Sequence, residues 1–139
     1  MLATIGDLEL KDEYALLPHN AVLADVAKAL SPVKNTAALV RGGKGRGIGG
    51  IVKVQMLLQA LSTGHDPTRT KASEIMGTNL MRLRLDMPVG MALKKIAERN
   101  PDAVLVLNEE NRFVGYLSAE DYRSIKHQFR ATVAERYIP

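Results

Sequence analysis

The sequence predicts a mixed α/β (α+β) fold of two β-α-β-β-α repeats packed about a pseudo-twofold axis. Three observations predict it. The order strand, helix, strand, turn, strand, helix occurs twice. Equivalent residues recur at a nearly constant spacing: Val22 with Val89, Ala37 with Ala103 and Gly50 with Gly115 lie 67, 66 and 65 apart. A single stretch, STGHDPTRTKA at 62–72, carries Gly, Pro and Thr without apolar periodicity and reads as a linker. The repeats are therefore 1–64, the more diverged, and 65–139. At about 60 residues each, neither can bury a generous core alone, so two matching apolar faces are expected to pack on each other.

In the first repeat the opening residues mix Leu and acid and read as an arm or short strand leading into Tyr14–Leu17. Asn20 is placed to cap a helix whose Val22, Leu23, Val26 and Leu30 form one face, and Ser31-Pro32 stops it. Thr36–Val40 reads as a short buried strand, followed by the basic glycine loop RGGKGRG at 41–47 and a second strand at Ile48–Val52. A helix at Val54–Leu61 ends at Gly64.

The second repeat is more clearly patterned. After a short segment at Ser73–Met76, Met81, Leu83 and Leu85 alternate with Arg82 and Arg84, as a strand with one wet face requires. Asp86 is the expected cap of a helix with Pro88 in its first turn and Val89, Ala92, Leu93, Ile96 and Ala97 at helical spacing. Asn100-Pro101 ends it, Ala103–Leu107 is an apolar strand, and the turn Asn108–Asn111 returns the chain as Arg112–Leu117. The last helix runs from Ala119 toward Arg136 with Tyr122, Ile125, Phe129 and Val133 on one side.

Composition bounds the chemistry. The chain has 139 residues, 46% of them hydrophobic, with no Trp and two Phe, so its core is aliphatic and large stacking platforms are excluded. Without cysteine there are no disulfides or thiolate zinc sites, and His19, His65 and His127 show no metal-ligand spacing. No apolar run approaches the roughly 18 residues of a membrane span. The acidic N-terminus, with Asp7, Glu9, Asp12 and Glu13, is unlike a signal peptide, which implies a cytoplasmic protein. A net charge of +4 suggests an anionic partner or simply a solvated surface.

The junction Gly115-Tyr116-Leu117-Ser118-Ala119-Glu120-Asp121 closes a strand and opens a helix. A helix start leaves backbone N–H groups without partners and carries the positive end of the macrodipole, which suits phosphate. Two readings stand side by side. Ser118 and Asp121 form an S-x-x-D capping box, or they also hold a sugar and phosphate; capping and binding are compatible.

The residues from Ser73-Glu-Ile-Met76 through PDAVLVLNEENRFVGYLSAED resemble a cystathionine-β-synthase (CBS) domain, and the first half resembles a diverged copy. The specific match is G-hydrophobic-x-[Ser/Thr]-x-x-[Asp/Asn] at Gly115, Tyr116, Ser118 and Asp121. The resemblance implies a non-catalytic sensor that binds AMP, ADP, ATP or S-adenosylmethionine between two CBS-type repeats and assembles as a homodimer acting on a regulated protein. It implies that Asp121 grips ribose hydroxyls and Ser118 meets ribose or phosphate, with Tyr116 and Glu120 alongside. A carboxylate accepting from two vicinal hydroxyls fits that role.

By the same resemblance, the partner repeat contributes residues near Glu9, Tyr14, Lys34 and Asn35. The first copy departs from the motif, with Gly50, Ile51, Lys53 and Met56 at the matching positions. A thioether is a poor acceptor for ribose, so that cleft is not expected to take adenosine in the ordinary way. Lys53, with Arg41, Lys44 or Arg46, is a candidate phosphate contact, against the alternative of solvated cations. The degenerate cleft would receive Met76, Met81, Pro101 and Asp102.

Gly45-Arg-Gly47-Ile-Gly-Gly50 satisfies G-x-G-x-x-G, but the following Ile48–Val52 is β-branched and strand-like, so no helix N-terminus faces the loop. The pairs Glu109-Glu110 and Glu120-Asp121 have no histidine placed to work with them, so no catalytic constellation is assigned and no metal or cofactor is called for. The alternative reading is a basic interaction module with vestigial pockets, binding nucleic acid or an acidic protein through residues 41–53 and the last helix, where Arg123, Lys126, Arg130 and Arg136 lie opposite the apolar side.

Overall fold

In a computed structural model of the chain, residues 4–10, 13–43 and 47–137 are described, with side chains through Arg130. The elements are β1 (Glu13–Leu17), α1 (Leu23–Leu30), β2 (Asn35–Arg41), β3 (Ile48–Val52), α2 (Val54–Ser62), β4 (Leu80–Arg84), α3 (Val89–Arg99), β5 (Ala103–Leu107), β6 (Phe113–Leu117) and α4 (Ala119–Tyr137). They build two three-stranded sheets, β1-β2-β3 and β4-β5-β6. A short 3-10 turn precedes each set, at Ile5–Asp7 and Ala72–Glu74.

The sheets repeat in detail. β2 and β3 pair antiparallel, as do β5 and β6. The register slips between Val40 and Arg41 in the first sheet and between Val106 and Leu107 in the second, the same place in the unit. β1 pairs parallel with β2, which requires a crossover, and α1 supplies it.

One compact unit comprises residues 12–80, the other residues 81–139 together with 1–11. These units do not coincide with the sequence halves at 64/65. Each takes its 3-10 turn from the segment that precedes the other's first strand. In the unit 81–139, Ile5 enters a core of Met81, Leu83, Val89, Ala92, Ile96, Val104, Val106, Leu117 and Ile125. In the unit 12–80, Ala72 joins Leu23, Val26, Leu30, Ala38, Val40, Val52, Leu57 and Ala60.

The two turns are held alike. The N–H of Thr4 donates to the Asp7 carboxylate at 3.1 Å, and that of Lys71 to the Glu74 carboxylate at 2.6 Å. The N–H of Ile5 reaches Met87 O at 2.9 Å, and that of Ala72 reaches Ala21 O at 2.8 Å. The opening residues are therefore a 3-10 turn docked on 85–88, not the arm or strand that their composition suggests.

That docking moves both helix starts. Val22 bridges Lys71 and Pro88 bridges Thr4, so both are held extended, at φ/ψ of −100/171° and −60/140°, and become the N-cap residues. Asn20 and Asp86, the expected caps, are left outside the helices; Asp86 instead pairs with Arg84 at 3.6 Å. Asp25 accepts the Val22 N–H at 2.9 Å in place of a side-chain cap. Helix ends follow the expected signals, with Asn100 left-handed at φ 45° after α3 and Gly64 at φ 93° after α2.

Residues 62–72 are more than a connection. Thr70 O and Pro67 O accept the N–H groups of Leu23 and Ala24 at 3.0 and 2.8 Å, so the segment's carbonyls satisfy the start of α1. The apolar side of α4 is also accounted for: Ile125 is buried in the core of its unit, and Tyr122 and Phe129 pack against it. Phe129 lies over Gly90, where a β-carbon would stand 3.1 Å from the ring.

Candidate functional site

Antiparallel pairing with β5 carries β6 to Leu117, whose partner is Val104, and Ser118 then breaks from the sheet to begin α4. The Asp121 N–H donates to Ser118 Oγ at 2.9 Å, and the Ser118 N–H faces Asp121 Oδ2 at 3.4 Å. Two helix-start donors are thereby satisfied reciprocally, the geometry of a capping box. The residues are 4% and 6% exposed, which places a hydroxyl and a carboxylate almost out of water at the positive end of a long helix. Among the described residues no buried side-chain polar atom lacks a partner.

Tyr116 is buried in β6 opposite Leu105. Glu120 is exposed, and its carboxylate is held by Arg123 at 2.7 Å on the surface of α4. Of the four residues singled out here, Ser118 and Asp121 are bonded to each other, whereas Glu120 is engaged elsewhere.

Glu9 belongs to the same compact unit and is exposed. Tyr14, Lys34 and Asn35 belong to the unit 12–80. There, Tyr14 is half-buried in β1, Lys34 pairs with Glu13 at 3.7 Å, and the Asn35 amide donates to Ala29 O at 2.9 Å, closing the end of α1.

The matching helix start of the first repeat is built differently. Lys53 is the N-cap of α2 and makes no side-chain cap hydrogen bond. Met56, at the position equivalent to Asp121, packs against the core of its unit. Substituting a thioether for the carboxylate thus removes the reciprocal cap and turns a polar position into a packing position. Arg41 is exposed at the end of β2, while Lys44 and Arg46 lie outside the described residues. Met76 lies on Gly50 in the unit 12–80, and Met81 is buried in the core of the other unit.

One feature escapes sequence reasoning. A cleft of about 510 Å³ opens at the hairpin end of the unit 81–139, lined by Asp7 of the 3-10 turn and by Arg84, Asp86, Asn108, Glu109 and Glu110. Residues distant in sequence converge on it, and no local motif announces it. Several of its charges are already matched: Thr4 donates to Asp7, Arg84 pairs with Asp86, and Arg112 pairs with Glu110 at 3.5 Å. Ser118 and Asp121 follow the opposite end of β6, about 17 Å along a five-residue strand.

Among the described residues no three His, Asp or Glu side chains converge to hold a metal ion, and no helix is long and apolar enough to cross a membrane. Among the described residues, the Asp66 carboxyl is held below its ordinary range, because the Thr68 N–H and hydroxyl donate to it at 2.9 and 2.8 Å.

Two repeated sheet-and-helix units, with a Ser/Asp helix start retained in one and lost in the other, define a tandem α/β module. Residues 72–127 match the sequence profile of the CBS domain family, and the chain as a whole has the fold of CBS domain pairs. Among similar solved structures is a CBS domain protein from Pyrobaculum aerophilum complexed with AMP, 23% identical, covering 92% of this chain and 98% of that one, with a TM-score of 0.72. The CBS domain pair of protein MJ0100, in complex with 5-methylthioadenosine and S-adenosyl-L-methionine, is 21% identical over 92% of this chain and 98% of its own, at a TM-score of 0.70. The CBS domain of a bacterial CNNM/CorC family Mg2+ transporter is 16% identical over 88% of this chain and 74% of its own, at a TM-score of 0.73. At these identities the likeness is one of fold. No curated protein matches the sequence at a significant level.

Proposed function

We propose that this chain is a non-catalytic regulatory module that binds one adenosine-containing ligand, AMP, ADP, ATP or S-adenosylmethionine. The observation that carries the reading is the buried Ser118–Asp121 pair at the start of α4. The carboxylate would accept from the ribose hydroxyls and the helix start would meet phosphate. Tyr116 and Glu120 flank the pair in sequence, and Glu9, Tyr14, Lys34 and Asn35 are the proposed contributors from the partner segment. CBS domain pairs of the same fold in complex with AMP and with S-adenosyl-L-methionine support that ligand class. Lys53 and Arg41, with Lys44 and Arg46, are the proposed phosphate contacts of the first repeat.

The module is proposed to be cytoplasmic, to pair as a homodimer, and to pass ligand occupancy to a regulated protein. A thermal-shift series with the four ligands tests the binding claim. Stabilisation by about 2.7 kcal/mol at a hundred times the dissociation constant is expected from at least one of them. If none shifts the melting point at millimolar concentration, Ser118 and Asp121 are a cap and nothing more. The alternative, a basic module for nucleic acid or an acidic protein, is supported by the exposed cations Arg123 and Arg130 on α4. It predicts binding that falls steeply with salt and is indifferent to adenosine.

A further inference from the structure

Positive charge is concentrated on two helices of the unit 81–139. Through Arg130, α3 and α4 hold six cations, Lys94, Lys95, Arg99, Arg123, Lys126 and Arg130, against two exposed carboxylates, Glu98 and Glu120. The excess equals the +4 of the whole chain. Lys126 is half-buried, its ammonium 5.7 Å from the centre of the Tyr122 ring, and the other five are exposed. Glu120 is taken up by Arg123, and among the described residues no carboxylate pairs with Lys94, Lys126 or Arg130. At the matching positions of the first repeat the chain has Ala27 for Lys94 and Leu58, Leu61 and His65 for Arg123, Lys126 and Arg130, so the fold itself does not call for cations there.

Four of these cations line one groove. α3 leads into β5 and α4 leaves β6, and both helices fold back on their sheet, so the antiparallel pairing of β5 with β6 makes the helices run in opposite directions. They meet where Phe129 lies over Gly90. Lys94, one turn on from Gly90, therefore comes level with Lys126, about one turn back from Phe129. On α4, Arg123, Lys126 and Arg130 are spaced to share one face. Their row is about 10 Å long, and packed helices lie roughly 8–10 Å apart, so Lys94 stands across a shallow groove from it.

We infer that the groove between α3 and α4 binds the sugar-phosphate backbone of duplex nucleic acid, without reading its sequence, through Lys94, Arg123, Lys126 and Arg130. This rests on the basic-module reading above and narrows it to one surface and one partner. Charge complementarity carries it: a duplex presents one negative charge per roughly 1.7 Å of axis, so about six phosphates pass along a 10 Å row. An acidic protein suits the face less, because protein interfaces are anchored by large apolar side chains, and among the described residues Met91 is the only exposed one on either helix. A single strand suits it less too, because the chain has no Trp, and Tyr122 and Phe129 pack against the core instead of offering a stacking platform. Contacts to phosphate alone give a dissociation constant on the order of 10⁻⁴–10⁻⁶ M at physiological salt.

Fluorescence anisotropy of a labelled DNA duplex of about 20 base pairs tests this. The wild type should bind in 50 mM salt and lose about a hundredfold in affinity by 200 mM, as about four phosphate contacts require. Lys94→Gln, Lys126→Gln and Arg130→Gln should each flatten the logarithmic salt slope by about 0.9, and the three together should abolish binding while leaving the circular dichroism unchanged. Arg41→Gln, at the end of β2, should bind as the wild type does. If Arg41→Gln abolishes binding and the triple variant does not, the groove is wrong and the basic module acts through residues 41–53. Polyglutamate competing as well as the duplex, or a single strand binding more tightly than it, overturns the partner assigned here. A wild type that binds neither duplex nor polyglutamate up to about 100 μM in 50 mM salt removes the basic-module reading as well.

Discussion

Met76 lies across the bare α-carbon of Gly50. A β-carbon on Gly50 would fall well inside contact with the Met76 sulfur and 3.0 Å from the Gly77 carbonyl oxygen. The approach is fixed by backbone, since Ile51 and Gly77 exchange both N–H···O bonds at 3.0 and 2.9 Å and hold the segment against β3. Gly115, the equivalent in the second repeat, faces Leu10 at 3.5 Å, an ordinary contact.

Equivalent substitutions should therefore differ. Gly50→Ala is expected to cost about 1–3 kcal/mol through overpacking, visible as a lower urea midpoint. Gly115→Ala should be nearly neutral. Adding Met76→Ala to Gly50→Ala should recover part of the loss, because the flexible sulfur chain is one of the two obstacles. Equal costs at the two glycines would show that the contact at Gly50 relaxes freely.

Asp121→Ala should act twice. Loss of the cap costs roughly 0.5–2 kcal/mol of stability without ligand. Loss of the proposed ribose contact weakens binding by about ten- to a hundredfold. The two effects separate when the ligand-induced shift is measured for each variant from its own melting point. The shift should largely vanish in Asp121→Ala and survive in Met56→Ala, whose side chain packs on the core. A full shift in Asp121→Ala removes the carboxylate from the binding account.

Lys53→Ser is expected to stabilise the monomer. Lys53 already has the extended N-cap conformation, at φ/ψ of −102/163°, and lacks only a side chain that accepts from the first turn. Supplying a hydroxyl should add about 0.5–1 kcal/mol, measured by denaturation below the association concentration. No gain would mean that those N–H groups are already well served by water.

The Asp66 carboxyl titrates below its ordinary 3.8 because Thr68 donates to its charged form. A depressed folded value means that stability is present above the unfolded value and is lost as pH falls through the folded one. The same turn supplies the carbonyls that cap α1. Below about pH 4, amide exchange at Leu23 and Ala24 should therefore quicken before that of the central strands. Asp66→Asn should remove this acid-dependent step, and exchange profiles identical in the two proteins would refute the link.

Much of the architecture is legible in the sequence because its periodicities are strong. Alternation at Met81–Arg84, helical spacing from Val89 to Ile96 and the paired glycines suffice for the repeat and nearly all its elements. Helix starts are less legible. Asn20 and Asp86 have the right chemistry for caps, but backbone pairing to Lys71 and Thr4 holds Val22 and Pro88 extended and moves both boundaries. At the site, S-x-x-D foretells the reciprocal bonds of Ser118 and Asp121, since both partners lie within one turn. The engagement of Glu120 with Arg123, and of Asn35 with Ala29 O, depends on rotamers and on a contact six residues away.

By itself, then, the sequence determined what depends on neighbours in the chain: the duplicated unit, its strands and helices, the Ser118–Asp121 cap, and the loss of that cap at Lys53 and Met56. Tertiary structure decided what depends on residues brought together from afar. It seated Ile5 and Ala72 in their cores, made the carbonyls of Pro67 and Thr70 the cap of α1, and packed Tyr122 and Phe129 of α4 against a core while leaving Leu58 and Leu61 of α2 exposed. The physical reason is range: periodicity and capping act over a few residues, whereas docking a turn or covering an apolar face depends on which distant backbone and side chains arrive there.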